Sequence, residues 1–224
     1  MAPSRGQPHC ELEIVDAIPD RWADLVSLFE RPGPRGSWPR TSACYCMFWR
    51  LKPADYEAAF RRRSLEGRSG GPNKEAMKRL IAGGGVPGLL AYRDGRAAGW
   101  VSVSPRADLV RLEHSPQLRS ADSADDKRTW AVSCFYVYRS DWRSGVGRAL
   151  LAAAVERATA HGASTVDGYP VKAPSVDPYT GYDAMFARAV SPRATGKGAW
   201  ARALAEGRLG SLQDSSDQVR SFLT

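Results

Sequence analysis

One stretch, FYVYRSDWRSGVGRALL (135–151), constrains the fold more than any other part of the sequence. It begins as an apolar strand, passes through a turn rich in arginine and glycine, and continues as an apolar helix. The start of a helix has unpaired backbone N–H groups and a partial positive charge, so it attracts anions. Gly145 and Gly147 let a phosphate approach the backbone, and Arg143 and Arg148 add charged donors. The segment therefore predicts a site for a phosphorylated ligand.

Two familiar phosphate-binding motifs do not fit this turn. A P-loop ends in Gly-Lys-Ser/Thr, which is absent here. A dinucleotide fingerprint needs a third glycine and an acidic residue after the next strand, whereas only Gly145 and Gly147 have the required spacing. A glycine-rich turn with solvated arginines would give the same pattern, so the turn alone leaves both interpretations open.

The composition is that of a globular chain with a basic surface. Its 224 residues carry a net charge of +8, and the arginines are spread along the chain, which favours a local phosphate site over a nucleic-acid surface. No apolar run approaches the ~20 residues of a membrane span, and the N-terminal residues lack an apolar signal core. We therefore expect a cytoplasmic protein that binds neither nucleic acid nor membrane.

The cysteines do not predict a metal site. Cys10, Cys44, Cys46 and Cys134 have none of the usual zinc spacings, and the three histidines are scattered. Reduced thiols and no bound metal are the expectation. Cys134 is expected to be a small buried residue of the central strand.

The periodicity predicts a mixed sheet with helices on both faces. Strands are expected at 10–17, in a hairpin at 86–105 that turns at Asp94-Gly95, at 129–138 and at 164–171. Helices are expected at 19–30, at 54–67, at 74–82 with Asn73 as N-cap, at 146–161 and from Asp177 to Arg188. Gly99 inside the hairpin predicts a bulge or a close neighbour, and 129–171 predicts a crossover to a parallel strand.

The chain changes character after residue 188. Residues 1–188 read as a single domain, whereas 189–224 have few large apolar residues and no strand pattern. We expect the last 36 residues to be a divergent, partly ordered tail.

Segment 135–151 resembles motif A of the GNAT superfamily, the acetyl-CoA-dependent N-acyltransferases: a strand, a short turn, and Arg/Gln-x-x-Gly-x-Gly/Ala opening a helix. The stretches CYCMFWRL, PGLLAYRDG, CFYVYR and DGYPV resemble a bacterial GNAT subgroup of unassigned substrate. The resemblance covers roughly residues 10–188. It implies an α/β fold, the acyl-CoA N-acyltransferase fold, in which helices flank a central mixed β-sheet on both faces.

The resemblance also implies a coenzyme site. Strands 129–138 and 164–171 would splay apart, and the pantetheine arm would lie between them. Its amides would pair with the free backbone of the first strand, and the turn would hold the pyrophosphate. The implied acetyl-CoA-binding residues are Phe135, Val137, Arg143, Ser144, Gly145, Val146, Gly147 and Arg148.

The sequence departs from the family pattern at three places. Trp142 stands where the motif has Arg or Gln, and Phe186 stands where many members have a tyrosine that protonates the leaving thiolate. Val190-Ser191-Pro192 and the tail replace the usual Gly-Phe and final strand. The altered end leaves three readings open: a missing strand, a strand supplied by the partner in a homodimer, or loss of activity.

Acetyl transfer to an amine needs a polarised thioester, a neutral amine and a protonated leaving thiolate. Asp167 is the candidate base, with Glu113 or a water relay as alternatives. Tyr169, Tyr179 and Tyr182 are candidate acids that could replace the absent tyrosine. The stretch ACYCMFWRL (43–51) either lines the acceptor pocket or packs the core.

The predicted function is acetyl-CoA-dependent N-acetyl transfer to the primary amine of a small molecule, such as an amino acid, a polyamine or an antibiotic. The alternative is a coenzyme A-binding GNAT-like protein without acyl transfer, acting as a sensor or interaction module. Phe186 and the altered C-terminal region favour the alternative.

Overall fold

A computed structural model describes residues 11–37, 39, 41–66, 71–113, 128–172, 179–189, 193–194, 200–203 and 209–210. In these residues the strands are β1 (Leu12–Asp16), β2 (Gly88–Arg93), β3 (Arg96–Pro105), β4 (Thr129–Val137), β5 (Thr165–Gly168), β6 (Arg193–Ala194), β7 (Trp200–Ala203) and β8 (Leu209–Gly210). The helices are α1 (Trp22–Phe29), α2 (Thr41–Cys44), α3 (Pro53–Glu66), α4 (Gly71–Ala82), α5 (Val110–Glu113), α6 (Val146–Ala160) and α7 (Asp183–Ala189).

All of these strands belong to one mixed sheet. Their order is β1-β2-β3-β4-β5-β7-β6, and β8 also pairs with β7. Strands β1 to β4 are antiparallel neighbours, β4 and β5 are parallel, and β5 and β7 are antiparallel. The predicted α/β class is confirmed, and α6 makes the predicted crossover between parallel strands.

The sheet opens between β4 and β5. The two strands pair from Thr129↔Thr165 only as far as Val132↔Gly168, while β4 continues to Val137. Beyond Val132, the edge of β4 that faces β5 has no strand beside it among the described residues. The parting of these two strands leaves a gap in the sheet beside the end of β4, which leads to the start of α6, and we refer to this gap as the cleft.

Helices cover both faces of the sheet. On one face, α6 and α7 bury a cluster that includes Val132, Phe135, Leu150 and Phe186. On the other, α1, α4 and the segment after α2 bury a cluster centred on Phe29, Tyr45 and Trp100. No helix in the described part of the chain has both the length and the apolar character of a membrane span.

Gly99 positions the first turns of α6 on the sheet. A Cβ at this position would lie 2.8 Å from Val146 Cγ1 and 3.0 Å from Leu150 Cδ1. The absent side chain therefore lets α6 approach the strand closely, as the sequence predicts. The hairpin also contains a bulge, between Ala91 and Tyr92, where Ala98 is the extra residue opposite.

Several predicted boundaries are wrong. Asn73 is not the N-cap of α4, because it lies inside that helix, is buried, and donates from Nδ2 to the carbonyl oxygen of Ala43 over 3.0 Å. Helix α7 begins at Asp183, while the predicted start, Asp177-Pro178, lies outside the described residues. The short helices α2 and α5 carried too few residues for a periodic signal.

Residues after 188 contribute strands that the sequence pattern did not indicate. Strand β7 pairs with β5 from Thr165↔Ala203 to Gly168↔Trp200, and β6 and β8 pair with β7. The same chain therefore supplies a strand beside β5, so two of the three readings, a missing strand and one supplied by a partner, are not needed. The domain boundary at residue 188 stays a prediction.

We expect Gly99→Ala to destabilise the protein, since the added methyl would collide with Val146 and Leu150 beneath α6. The free energy of unfolding should fall by about 1–3 kcal/mol, as in other overpacked cores, measured by urea denaturation. In Gly99→Ala/Val146→Ala the cost should be smaller than the sum of the two single changes. Strict additivity would show that the contact does not matter.

Candidate functional site

The turn between β4 and α6 has an unusual backbone. Arg143 has φ = 60° and Gly145, the N-cap of α6, has φ = 89°. A non-glycine residue in the left-handed region costs of order 1 kcal/mol or more, and such residues cluster at functional sites. Arg143, Ser144 and Arg148 are exposed, and neither arginine forms an ion pair with another described residue.

The N–H groups of this turn point to no protein acceptor. The first helical bond runs from the N–H of Ala149 to the carbonyl oxygen of Gly145 over 3.0 Å. Among the described residues, none accepts a hydrogen bond from the N–H groups of residues 144–148. Free amides at a helix start, beside two exposed arginines, make a site that fits a pyrophosphate. The residues predicted to hold this group are therefore brought together.

Asp141, which the sequence analysis missed, fixes this turn to the hairpin. Its carboxylate is 3% exposed and accepts hydrogen bonds from Arg96 Nη2 at 2.9 and 3.1 Å and from Ser140 Oγ at 2.7 Å. Burial alone would raise the pKa of Asp141, but the Ser140 hydroxyl and the Arg96 guanidinium outweigh burial, and the pKa is lowered. An aspartate followed by Trp142 carries no sequence signal for this role.

The backbone at Phe135 and Val137 is not free, contrary to the sequence-based expectation. The N–H of Phe135 donates to the carbonyl oxygen of Tyr179 over 2.5 Å. The carbonyl oxygen of Val137 accepts from Trp142 Nε1 at 2.8 Å. These bonds exist because groups on the open edge of β4 take the partners that the chain offers. The indole of Trp142 is 62% exposed, so little packing holds it in place.

A bulge lies in β4 at the point where the strands part. Ser102 is opposite Cys134 and Val103 is opposite Val132, so Ser133 is the extra residue. Its hydroxyl donates to Ser102 Oγ over 3.1 Å, and both residues are buried. A bulge turns backbone groups away from the regular ladder, which places N–H groups where a ligand can use them.

Asp167 and Tyr169 belong to a buried network with Arg106. Arg106 Nη1 lies 2.8 Å from Asp167 Oδ2 and also donates to the Tyr169 hydroxyl, which is 3.5 Å from the same oxygen. All three side chains are at most 2% exposed. Ala131 lies between Ser104 and Asp167 in the sheet register, and its small side chain leaves room for Arg106 above β4. Arg106 carries no local sequence pattern that would predict this role.

The remaining candidate acids and bases lie elsewhere. Tyr182 is half-buried, stands just before α7 and forms an isolated bridge with Val171. Glu113 is the last residue of α5. Phe186 is buried against Phe135, with ring centres 6.0 Å apart in an edge-to-face arrangement. The position that the resemblance assigns to a tyrosine therefore lies by the cleft but carries no hydroxyl group.

The segment after α2 packs the core in part, which is one of the two roles that the sequence left open. Tyr45 and Met47 are buried in the core. Phe48 and Trp49 are half-buried, and the Trp49 ring stacks over Tyr169 at 6.4 Å between centres. Part of this segment thus packs the core, and part lies beside the residues that follow β5.

Two cysteine thiols, from Cys46 and from Cys134 of the central strand β4, lie next to each other in the core. Cys46 Sγ lies 3.3 Å from Cys134 Sγ, and both side chains are buried, as expected for Cys134. The hydrogen bond to Cys134, together with burial, raises the pKa of the Cys46 thiol. A protonated buried thiol is a poor nucleophile. In the part of the chain that the structure describes, no group of three His, Cys, Asp or Glu side chains is placed to hold a metal ion.

We predict that Asp141→Asn lowers the free energy of unfolding by about 1–3 kcal/mol near neutral pH, because charged hydrogen bonds to Arg96 are lost. The pKa of Asp141 is lowered in the folded state. Its contribution is therefore complete above about pH 4, the ordinary value, and is lost as pH falls below it. The difference between wild type and variant should shrink at pH 3. A constant difference, or an equal effect from the exposed Asp20→Asn, would contradict this role.

We expect Asp167→Asn to cost roughly 3–5 kcal/mol of stability, because it leaves the Arg106 charge buried without its partner. The double variant Arg106→Met/Asp167→Leu should recover much of that loss, since no buried charge remains. Denaturant unfolding of the two single variants and the double variant measures the coupling. Additive losses would show that the ion pair is unimportant.

Comparison with known proteins places this geometry in a family. A profile described as "Acetyltransferase (GNAT) family" matches residues 44–174. This range contains the segment after α2, the hairpin, the turn at the start of α6, and β5. No protein of curated function matches the sequence.

Solved structures of low identity resemble the chain. One is a GNAT family acetyltransferase from Brucella melitensis in complex with acetyl-CoA, at 14% identity and a TM-score of 0.48, with 93% of this chain and 99% of that chain covered. A second is a GNAT family N-acetyltransferase from Escherichia coli in complex with CoA, at 15% identity and a TM-score of 0.48, with coverages of 92% and 91%. A third is an N-acetyltransferase from Thermoplasma acidophilum in complex with coenzyme A, at 14% identity and a TM-score of 0.41, covering 74% and 83%.

The profile match extends over more than half of the sequence and confirms the predicted family and enzyme class. The chain belongs to the GNAT family of acetyltransferases.

Proposed function

We propose that this acetyltransferase uses acetyl-CoA as donor and a primary amine of a small molecule as acceptor. One observation carries the proposal: β4 runs on past Val132 without β5 beside it and leads to five amides, at residues 144–148, that have no acceptor among the described residues. A cleft that ends in an anion site suits a long ligand with a phosphate group.

The chain's own groups would bind the coenzyme in two places. The amides of residues 144–148 would hold the pyrophosphate, with Arg143 and Arg148 as charged donors. The open edge of β4, at Phe135 and Val137, would bind the pantetheine arm once the bonds to Tyr179 and Trp142 are given up. Exchange of one hydrogen-bond partner for another costs little, because both states are satisfied.

Acetyl-CoA, when bound, supplies the activated acetyl group. The bulge at Ser133 offers backbone N–H groups that would polarise the acetyl carbonyl oxygen. The packed walls of the cleft, including Phe135 and Phe186, exclude water and hold the reacting groups near each other. Much of the rate would come from this positioning.

Proton transfer from the amine and to the leaving thiolate needs groups other than Asp167. Asp167 is committed to Arg106, and taking a proton from an amine would break a buried ion pair. The network therefore suits Asp167 and Tyr169 to positioning the wall of the acceptor site. Tyr182 and a water relay stay the candidates for moving the protons.

Other expectations join the proposal on sequence grounds alone. We propose a cytoplasmic enzyme that takes up no metal, with residues 1–188 as its catalytic domain. A homodimer stays an open prediction.

We predict that Arg143→Glu weakens coenzyme A binding at least tenfold, since a charged hydrogen bond contributes about 1.5–3 kcal/mol. Gly145→Val should weaken it too, because φ = 89° excludes a β-branched residue. Isothermal calorimetry with acetyl-CoA measures both effects. The exposed Arg79→Glu on α4 is the matched charge control, and it should leave the affinity unchanged.

Trp142→Phe provides a control within the turn itself. It removes the N–H that occupies Val137, so coenzyme affinity should not fall. Unaltered affinity in Arg143→Glu and Gly145→Val would overturn the site assignment. Tight coenzyme binding without thiol release across a broad amine panel would instead indicate a protein that binds the coenzyme and does not transfer the acetyl group.

A further inference from the structure

Arg111, on α5, lies in an aromatic box beside the acceptor side of the cleft. Its guanidinium carbon is 4.1 Å from the centre of the Phe48 ring and 5.1 Å from that of Tyr56. Its backbone N–H donates to the carbonyl oxygen of Trp49 over 3.1 Å. Ring faces attract a guanidinium and leave its in-plane N–H groups free to point at something else.

Those in-plane donors have no partner in the part of the chain that the structure describes. Nε and Nη2 of Arg111 are buried from water and make no hydrogen bond with any described residue. In the described residues, Arg111 also forms no ion pair. The carboxylate of Glu57 acts on Arg111 only at longer range, and the Glu57 side chain is exposed. Burial lowers the pKa of Arg111, yet an arginine stays charged at neutral pH. A half-buried guanidinium whose two buried donors lack partners is uncommon in native proteins and needs an explanation.

The two unpaired atoms form one edge of the guanidinium. Nε–H and the neighbouring Nη2–H point the same way, and this fork matches the two oxygens of a carboxylate. A phosphate dianion would favour more than one cation. The next arginine in the sequence after Phe48, Arg50, already has partners within the protein: its Nη1 lies 3.6 Å from the Asp108 carboxylate, and its Nη2 donates to the carbonyl oxygen of Pro87. A single planar monoanion is the better match.

Ring contacts connect the box to the residues beside the point where β4 and β5 part. Phe48 contacts Trp49 edge to face at 4.9 Å, and Trp49 stacks on Tyr169, which directly follows β5. Tyr169 packs with Ala131 of β4, two residues before the bulge at Ser133. An acceptor bound at Arg111 would therefore extend along Trp49 and Tyr169 toward the bulge.

We propose that the acceptor carries a carboxylate as well as its primary amine, and that Arg111 binds this carboxylate through Nε and Nη2. The inference rests on the proposed function and narrows its acceptor to amino acids and similar amino acid-like molecules. Polyamines and other amines without a carboxylate lack the group that would pair with Nε and Nη2 of Arg111.

The test uses matched pairs of amines that differ only in the carboxylate: lysine with 1,5-diaminopentane, phenylalanine with 2-phenylethylamine, and leucine with leucinamide. Thiol release from acetyl-CoA gives kcat/KM for each. We expect the best acceptor to be a carboxylate, preferred over its partner by about tenfold or more. Equal kcat/KM within every pair, or a preference for the partners that lack the carboxylate, would overturn the inference while leaving the acetyltransferase intact.

Arg111→Lys distinguishes binding from a structural role. It keeps the charge and the stem but removes the fork, so the ratio of kcat/KM within a pair should fall about tenfold, mostly through KM. Arg79→Lys, on the exposed face of α4, is the control and should keep the ratio. A parallel loss on both members of each pair, with a lowered melting temperature, would show that Arg111 only supports the fold.

A binding measurement gives a second test that does not depend on turnover. Calorimetry of the same acids on the coenzyme-loaded wild type and on Arg111→Lys should show weaker binding, about tenfold, in the variant. Binding that depends on Arg111 in the absence of any thiol release would overturn the proposed function and support the carboxylate site. If none of the amino acids bound, while the matching amines without a carboxylate were acetylated, the carboxylate site alone would be overturned.

Discussion

The loss of pairing between β4 and β5 after Val132 and Gly168 is the constraint on which the rest of the structure depends. A sheet that stayed closed would satisfy its own backbone and leave nothing for a ligand. Because β4 runs on to Val137 without β5 beside it, one edge of the strand pairs with groups outside the sheet, and the chain continues to the start of α6. Gly99 brings α6 close to the strand, and Asp141 ties the intervening turn to the hairpin. The gap in the sheet and the proposed anion site at the start of α6 are thus parts of one arrangement.

Strong local signals made much of this arrangement predictable. Asp94-Gly95 between two apolar runs has one common outcome, a hairpin, and β2 and β3 form it. The strand at 129–138 is apolar on both faces because it is central, and the helix after it ends at Ala160, two residues before Gly162, which has φ = 79°. The prediction of an anion site came from glycine and arginine residues that lie close together in the sequence, before and at the start of α6.

The rest depended on contacts between residues far apart in the chain. Arg106 is 61 residues from Asp167, and Arg96 is 45 from Asp141, so neither pair leaves a local pattern. Asn73 looks like a helix cap, but its amide has a tertiary partner in Ala43. The open edge at Phe135 and Val137 was expected to be free, yet Tyr179 and Trp142 take those groups. Sequence patterns report local preference, and tertiary competition decides such cases.

Strand β7, from the C-terminal region, covers the edge of β5. It lies beside β5 over Thr165 to Gly168, and it comes from residues 200–203. A chain shortened to residue 188 would leave β5 as an edge strand with a row of unsatisfied amides and carbonyls. Such an edge can template pairing with other chains. The final residues would then act as a cover against self-association, so shortened forms of this enzyme should aggregate even where their catalytic cleft is complete.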